Sequence, residues 1–406
     1  MNAGHGRSRG LVAALTLVIA LSACAPTPQE TETATSVAPS VRDASASPGE
    51  RVEASPSAEA DAFPIAAFAD ISEGSVPDDL AAEFQAALEE MAGDGGMSAT
   101  VMSPDGTWSG AAGKADGVRK VTVDDQFGIA SITKSITAAQ VMQMVEAGEL
   151  GLDDPVADYL PPDLDFDTNG ATIRQLLGHV SGIPDWFDAK MQKDVATDRR
   201  RVWTTAEVLE LVDDRRTPAG SGFEYADTNY NLLGLAIEQV RGRPVAEVLR
   251  DGVLDVVGTE RLVYQPDEAP TEPMAMPLGE SKAAIRKGGG FLPSISDASS
   301  AGPAGAIASD SPSLARWWRA LCAGDIVSQD SLNQMSTMVD GYGLGLHDYD
   351  YPGAVGHTGG NFGYSTWAGC LPEDGTVVVV LTNQLVDNIG GMAQPLVNAV
   401  VAASLA

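Results

Sequence analysis

The sequence predicts an α/β (α+β) layered domain whose single sheet is assembled from both ends of the chain and interrupted by a helical insertion. Three observations carry this. Near the start, MSATVMSPDGTWSGAAG places strand-like runs on either side of Pro104-Asp105-Gly106, a hairpin signal. Near the end, TVVVVLTNQ is a continuous apolar strand. Between them the periodicity is mostly helical.

In order, the chain opens with a basic start (His5, Arg7, Arg9), an apolar run from Leu11 to Leu21, and the closing residues Leu21-Ser22-Ala23-Cys24. The run is too short to span a bilayer and reads as a signal-peptide core. Its end resembles a bacterial lipoprotein box, which implies that residues 1–23 are removed and Cys24 is lipidated, so that the protein sits on the extracellular face of the cell membrane through a lipid anchor. Residues 24–62 are rich in Pro, Ser, Thr, Ala and Glu, as in PTPQETETATSVAPS. Such a segment buries too little surface to offset its ordering entropy. As a flexible tether it would reach on the order of 35 Å.

The folded domain is expected over 63–406. Leu80, Phe84, Leu88 and Met91 recur at helical spacing, so 78–92 reads as an amphipathic helix capped by Asp78 or Asp79 and ended by Gly93. A second helix is expected over 135–149, with Val141, Met144 and Val145 on one face. Helices over 204–213, 231–240 and 388–403 follow the same logic.

The chain carries 56 acidic and 25 basic residues, a net charge of −31. So acidic a surface repels phosphate backbones, which excludes nucleic acid as a partner. Apart from Cys24 the cysteines are Cys322 and Cys370. They are either a disulfide or two lone buried thiols.

Ser131-Ile132-Thr133-Lys134 is the chain's one Ser-x-x-Lys. At i and i+3 on a helix the two side chains share a face, where a lysine can take the serine proton if its own charge is disfavoured. A helix N-terminus adds backbone N–H groups for an oxyanion. On its own the motif is weak, since a capping serine beside a solvated lysine looks the same.

Its surroundings change the reading. FGIASITKSITAAQVMQMVEAGELGLDDPVADYLP, TIRQLLGHVSGIPDW, FEYADTNYNLLGLAIEQVRG and GHTGGNFGYSTWAG follow one another in that order between Phe127 and Gln384. Together they resemble the serine β-lactamase and penicillin-binding superfamily, in the branch of class C β-lactamases, D-alanyl-D-alanine carboxypeptidases and related esterases. The resemblance implies a β-lactamase-like antiparallel sheet flanked by helices, a helical subdomain, and a site between them that works without a cofactor or metal.

By the same resemblance Ser131 is the nucleophile, Lys134 helps deprotonate it, and Tyr225 is a general base that then protonates the leaving group. His357-Thr358-Gly359 lines the other side of the cleft, where His357 or Thr358 would bind a substrate carboxylate. The N–H of Gly360 joins that of Ser131 in the oxyanion hole. One position departs from the pattern: Tyr225-Ala226-Asp227 ends in Asp where the family has Asn. An ionised Asp227 only accepts hydrogen bonds, so it would pair with Lys134, raise its pKa and shift the base role to Tyr225. The implied substrate is a D-alanyl-D-alanine peptide of the cell wall, with a β-lactam or ester on the same machinery, or a non-catalytic penicillin-binding sensor, as alternatives. His179 reads as structural, His347 as a loop or strand-end residue, and Trp317 and Trp318 as packing. Trp186 and Phe187 either wall the cleft or pack the core.

Overall fold

The structure, a computed structural model, describes residues 62–404 apart from 70, 73, 257 and 350–352. Cys24, the signal and nearly all of the tether lie outside the described residues. The helices are α1 (Asp78–Met91), α2 (Thr133–Glu146), α3 (Ile173–Leu177), α4 (Ala189–Thr197), α5 (Thr205–Leu209), α6 (Asp227–Arg241), α7 (Val245–Leu249), α8 (Lys282–Lys287), α9 (Ile295–Ala301), α10 (Ser311–Cys322), α11 (Gln329–Met335) and α12 (Gln394–Ser404). The strands are β1 (Gly96–Ser103), β2 (Gly106–Gly113), β3 (Phe127–Gly128), β4 (Val263–Tyr264), β5 (Ile307–Ser309), β6 (His347–Asp348), β7 (Val355–Asn361), β8 (Tyr364–Leu371) and β9 (Thr376–Thr382). No described helix is long and apolar enough to cross a membrane.

Six strands form one antiparallel sheet in the order β2-β1-β9-β8-β7-β6. β9, from the far end of the chain, pairs with β1 from the near end, which is why its valines are buried on both faces. Val378 and Val380 face Phe84, Leu88, Leu396 and Val397 of α1 and α12. Val377, Val379 and Leu381 face the larger core with Trp317 and Trp318 of α10. Alternation along a strand thus supplies two cores.

Cys370 on β8 and Cys322 at the end of α10 are joined as a disulfide across 48 residues, which decides between the two readings of these thiols. The bond pins α10 to the sheet.

Several boundaries move. α1 is not capped by Asp78 or Asp79: its N-cap is Pro77, and the acids occupy the first turn, where they favour the positive end of the helix dipole. α2 begins two residues before the expected start and stops at Glu146. It is no one-faced helix, because small and apolar side chains let it be enclosed almost all round. Its polar groups survive burial by bonding outward: Ser135 Oγ donates to Gly345 O (2.7 Å), and Thr137 Oγ1 to Pro303 O (2.8 Å). α5 and α12 are shorter than expected, and α6 longer, because a separate docked loop prepares its first turn.

Replacing Cys322 and Cys370 by serine should lower unfolding free energy by up to about 4 kcal/mol, the loop-closure value for a ring of this size. A denaturant titration with and without reductant measures it. Two free thiols in the oxidised native protein would contradict the bond.

Candidate active site

Ser131 lies in a 3-10 turn, Ala130–Ile132, that runs directly into α2. The turn is held from several sides. β3 pairs with β5, Ile129 N–H donates to Ile307 O (2.9 Å), and Thr366 Oγ1 of β8 donates to Ile129 O (2.9 Å). Ala130 takes φ +48°, a conformation an L side chain rarely adopts. This local strain is carried by the surrounding bonds and sits immediately before Ser131.

Gly359 of β7 faces the same turn. A Cβ there would stand 2.1 Å from Ile129 O, so only glycine allows this approach. β6 pairs with Val355 and Gly356 alone, so the β7 edge from His357 onward is left without that neighbour, and Gly360 is exposed. An extended substrate backbone can lie along such an edge.

Lys134 is fully buried and reaches three acceptors: Asp227 Oδ1 (2.6 Å), Ala304 O (2.8 Å) and Ser131 Oγ (3.2 Å). Three acceptors match the three N–H bonds of an ammonium. Burial opposes the charge, but Asp227 and then Tyr225 outweigh it, and the Lys134 pKa lies above the ordinary lysine value. Lys134 is therefore a cation at rest, and the expected Asp227 pairing is present.

Tyr225 lies with its ring centroid 4.9 Å from Lys134 Nζ, and its hydroxyl is near enough to Lys134 and Ser131 for both to act on it. Burial raises its pKa. Lys134 pulls it back down and Asp227 pushes it up again. The carboxylate at 227 thus works against both groups able to take the serine proton.

His179 holds Tyr225 in place. It adopts φ +56° and stacks on the tyrosine at 4.2 Å between centroids. Its Nδ1 accepts from Ala226 N–H (3.2 Å) and Asn229 Nδ2 (3.1 Å), which leaves the proton on Nε2. Burial, with the Lys134 charge second, keeps the ring neutral.

His357 is not placed to bind a substrate carboxylate. It is 2% exposed, its Nδ1 donates to Thr358 O (2.6 Å), and its Nε2 accepts from Tyr342 Oη (2.9 Å). Burial drives its pKa down to about 3, so it carries no charge to offer. Thr358 is half-buried and opens into a cavity of about 530 Å³ shared with His347, Asp348, Tyr349, Asn388 and Gln394. Of the pair considered for that role, Thr358 is the one that faces space.

The loop after His179 docks on the start of α6. Trp186 N–H donates to Thr228 Oγ1 (3.0 Å), Trp186 Nε1 to Asn231 Oδ1 (2.7 Å), and Asp227 N–H to Asp185 Oδ1 (3.0 Å). Trp186 is core and Phe187 half-buried. Trp317 and Trp318 are core, and His347 sits on the two-residue strand β6.

Sequence reasoning did not find Tyr342, Asp185, Asp297 or Asn361. Tyr342 lies 15 residues before His357 with no motif around it. Burial, with Asp227 adding to it, lifts Asp185 and Asp297 each to about 7. Only the fold brings these acids together.

Asp227→Asn replaces the carboxylate by a neutral amide and should lower the pKa of Tyr225 and of Lys134 together. Both become proton acceptors only when deprotonated, so the acid limb of the kcat/KM profile should move to lower pH, with a severalfold gain at pH 7. The same change uncovers a buried ammonium and should cost up to about 3–5 kcal/mol of stability. A pH-rate profile with a denaturant titration checks both. An unmoved limb would remove Asp227 from the titration.

The chain is matched over residues 81–402 by the Beta-lactamase family model. It is 31% identical over 293 residues to penicillin-binding protein 4 of Amycolatopsis lactamdurans, covering 65% of this chain and 73% of that one. It is 27% identical over 283 residues to penicillin-binding protein 4* of Bacillus subtilis strain 168, spanning 61% of this chain and 58% of that protein's length. Among solved structures it resembles a D-stereospecific amidohydrolase from Streptomyces sp., with a TM-score of 0.67, 28% identity, and coverage of 80% of this chain and 99% of the other. It resembles the D-amino acid amidase of Ochrobactrum anthropi SV3, in complex with D-phenylalanine, to the same TM-score of 0.67, at 25% identity and with coverage of 80% and 99%. With its nucleophile turn, buried lysine and tyrosine arranged as described, this chain is a serine hydrolase of the Beta-lactamase family.

Proposed function

We propose that the protein hydrolyses amide bonds whose acyl side is a D-residue, through an acyl-enzyme on Ser131. The observation that carries this is the meeting of Ser131 Oγ, Lys134 Nζ and the Tyr225 hydroxyl beside the open edge of β7. Support for the D-acyl class comes from the amidohydrolase and amidase whose folds it shares. A D-alanyl-D-alanine carboxypeptidase acting on cell-wall peptides is the narrower form expected from sequence, and penicillin-binding relatives support it.

In this reading Tyr225, as the phenolate beside the Lys134 cation, takes the Ser131 proton as Oγ adds to the carbonyl. The N–H groups of Ser131 and Gly360 hold the oxyanion. Tyr225 returns the proton to the leaving amine as the C–N bond breaks. Water then adds to the ester, again giving its proton to Tyr225, which passes it to Ser131 Oγ as the C–O bond breaks and the D-residue leaves as its acid. Export and tethering through Cys24 belong to the same proposal and would place the enzyme among cell-wall peptides. Fatty-acid labelling that persists in Cys24→Ala would end that part.

Exposure of the domain from Phe63 onward to a penicillin and, separately, to a D-amino acid ester should add one acyl group by intact mass, and Ser131→Ala should add none. An adduct that survives Ser131→Ala would refute the nucleophile. No adduct and no turnover with any acyl donor would favour a non-catalytic binding protein.

A further inference from the structure

The loop from Val339 to Leu346 is fastened along its length. Val339 and Tyr342 exchange both backbone hydrogen bonds (2.9 and 3.1 Å) across Asp340 and Gly341, whose φ angles are +53° and +82°. Asp-Gly is the pair best suited to a two-residue turn with both φ positive. Leu344 N–H donates to Met335 O of α11 (3.0 Å), and Ser135 Oγ of α2 holds Gly345 O. A Cβ at Gly343 would stand 2.0 Å from Met335 O, and one at Gly345 2.4 Å from Ala138 Cβ of α2. Only glycine permits approaches this close. The loop is thus bolted to the helix that carries Lys134.

What the loop presents is Tyr342, 1% exposed. Its ring stands edge to face with His179 at 4.8 Å, with His357 at 5.7 Å and with Tyr225 at 6.2 Å between centroids. Its hydroxyl donates to His357 Nε2 (2.9 Å). Burial raises its pKa well above the ordinary tyrosine value, so it keeps the proton it donates. An imidazole nitrogen that accepts is bare, so the His357 proton lies on Nδ1, where it is donated to Thr358 O (2.6 Å). Thr358 lies on β7 two residues before Gly360. A chain of contacts therefore runs from the Tyr342 hydroxyl through one imidazole to the strand beside Ser131. The ring serves a second purpose: His179 stacks on Tyr225, and Tyr342 stands edge-on to both.

We propose that Tyr342 is a positioning residue of the Ser131 site: its hydroxyl fixes the tautomer of His357, and with it the β7 backbone leading to Gly360, while its ring braces Tyr225 against His179. This rests on the acyl-enzyme reading above and deepens it, since Tyr342 itself moves no proton there. A neutral histidine has two tautomers, and only one offers Thr358 O a donor. A displaced oxyanion donor or base costs turnover more than substrate binding.

The test measures kcat and KM for p-nitrophenyl acetate, with Ser131→Ala as the blank. Tyr342→Phe keeps the ring and removes the hydroxyl; kcat should fall by about tenfold, the scale of one hydrogen bond, with KM little changed. Tyr342→Leu removes the brace as well, and kcat should fall by roughly a hundredfold. Because the hydroxyl acts through His357, Tyr342→Phe added to His357→Asn should cost nothing further. The 15N spectrum of the wild-type His357 imidazole should show Nδ1 protonated and Nε2 bare, and the Nε2 signal should move in Tyr342→Phe. Should Tyr342→Leu fail to fold, the Phe variant and that spectrum decide. Full kcat in Tyr342→Phe, additive losses with His357→Asn, or a wild-type His357 protonated on Nε2 would overturn the positioning role while sparing the acyl-enzyme. Absence of Ser131-dependent ester hydrolysis in the wild type would sink both.

Discussion

A fully buried lysine organises this molecule. An ammonium taken out of water costs several kcal/mol unless its N–H bonds are all met. Meeting those of Lys134 requires the Ala304 carbonyl, the first residue of α6 and Ser131 to converge. The turn before α2, the start of α6 and the segment after α9 each bring one piece, so the fold's assembly and the site's assembly coincide. The neutral rings of His179 and His357 complete the arrangement. They fill space around the cation and hold Tyr225 and the β7 backbone without adding charge.

The aspartate at 227 alters the chemistry more than a change of one atom suggests. An amide there would both donate and accept. A carboxylate accepts only, locks the lysine in its charged form and raises the tyrosine too. Burial, and after it the charge at 227, disfavour the ionised forms of Asp185 and Asp297, so both compete for protons near neutrality.

Much of this was readable in the sequence, and the reason differs by element. Ser131 and Lys134 are legible because i,i+3 spacing on a helix is a local fact, and Tyr225 and Asp227 only because the whole run resembles a known pattern. β9 was clear because burial on both faces erases polar alternation. The start of α6 was missed because the Asp185 loop that prepares it lies 42 residues away. Sequence offers His357 or Thr358 as a ligand for a carboxylate because no local pattern reveals Tyr342, which occupies the Nε2 of His357. The boundaries of α2 shifted because its enclosure comes from five other segments, not from its own amphipathic pattern. Asp297 and Asn361 meet only across 64 residues, and nothing in either neighbourhood predicts it.

The sheet has a consequence for how the chain comes into being. Gly96 N–H donates to Asn383 Oδ1, 287 residues onward, and β1 cannot gain its central neighbour until β9 has been made. On a ribosome the first hairpin and the long helical middle emerge while four of the sheet's six strands do not yet exist. Contacts this distant in sequence make for slow closure, with apolar strand faces waiting uncovered. The Ser131 turn, braced by β8, is among the last parts to set, so a chain cut short before β8 would lack the contact that holds that turn.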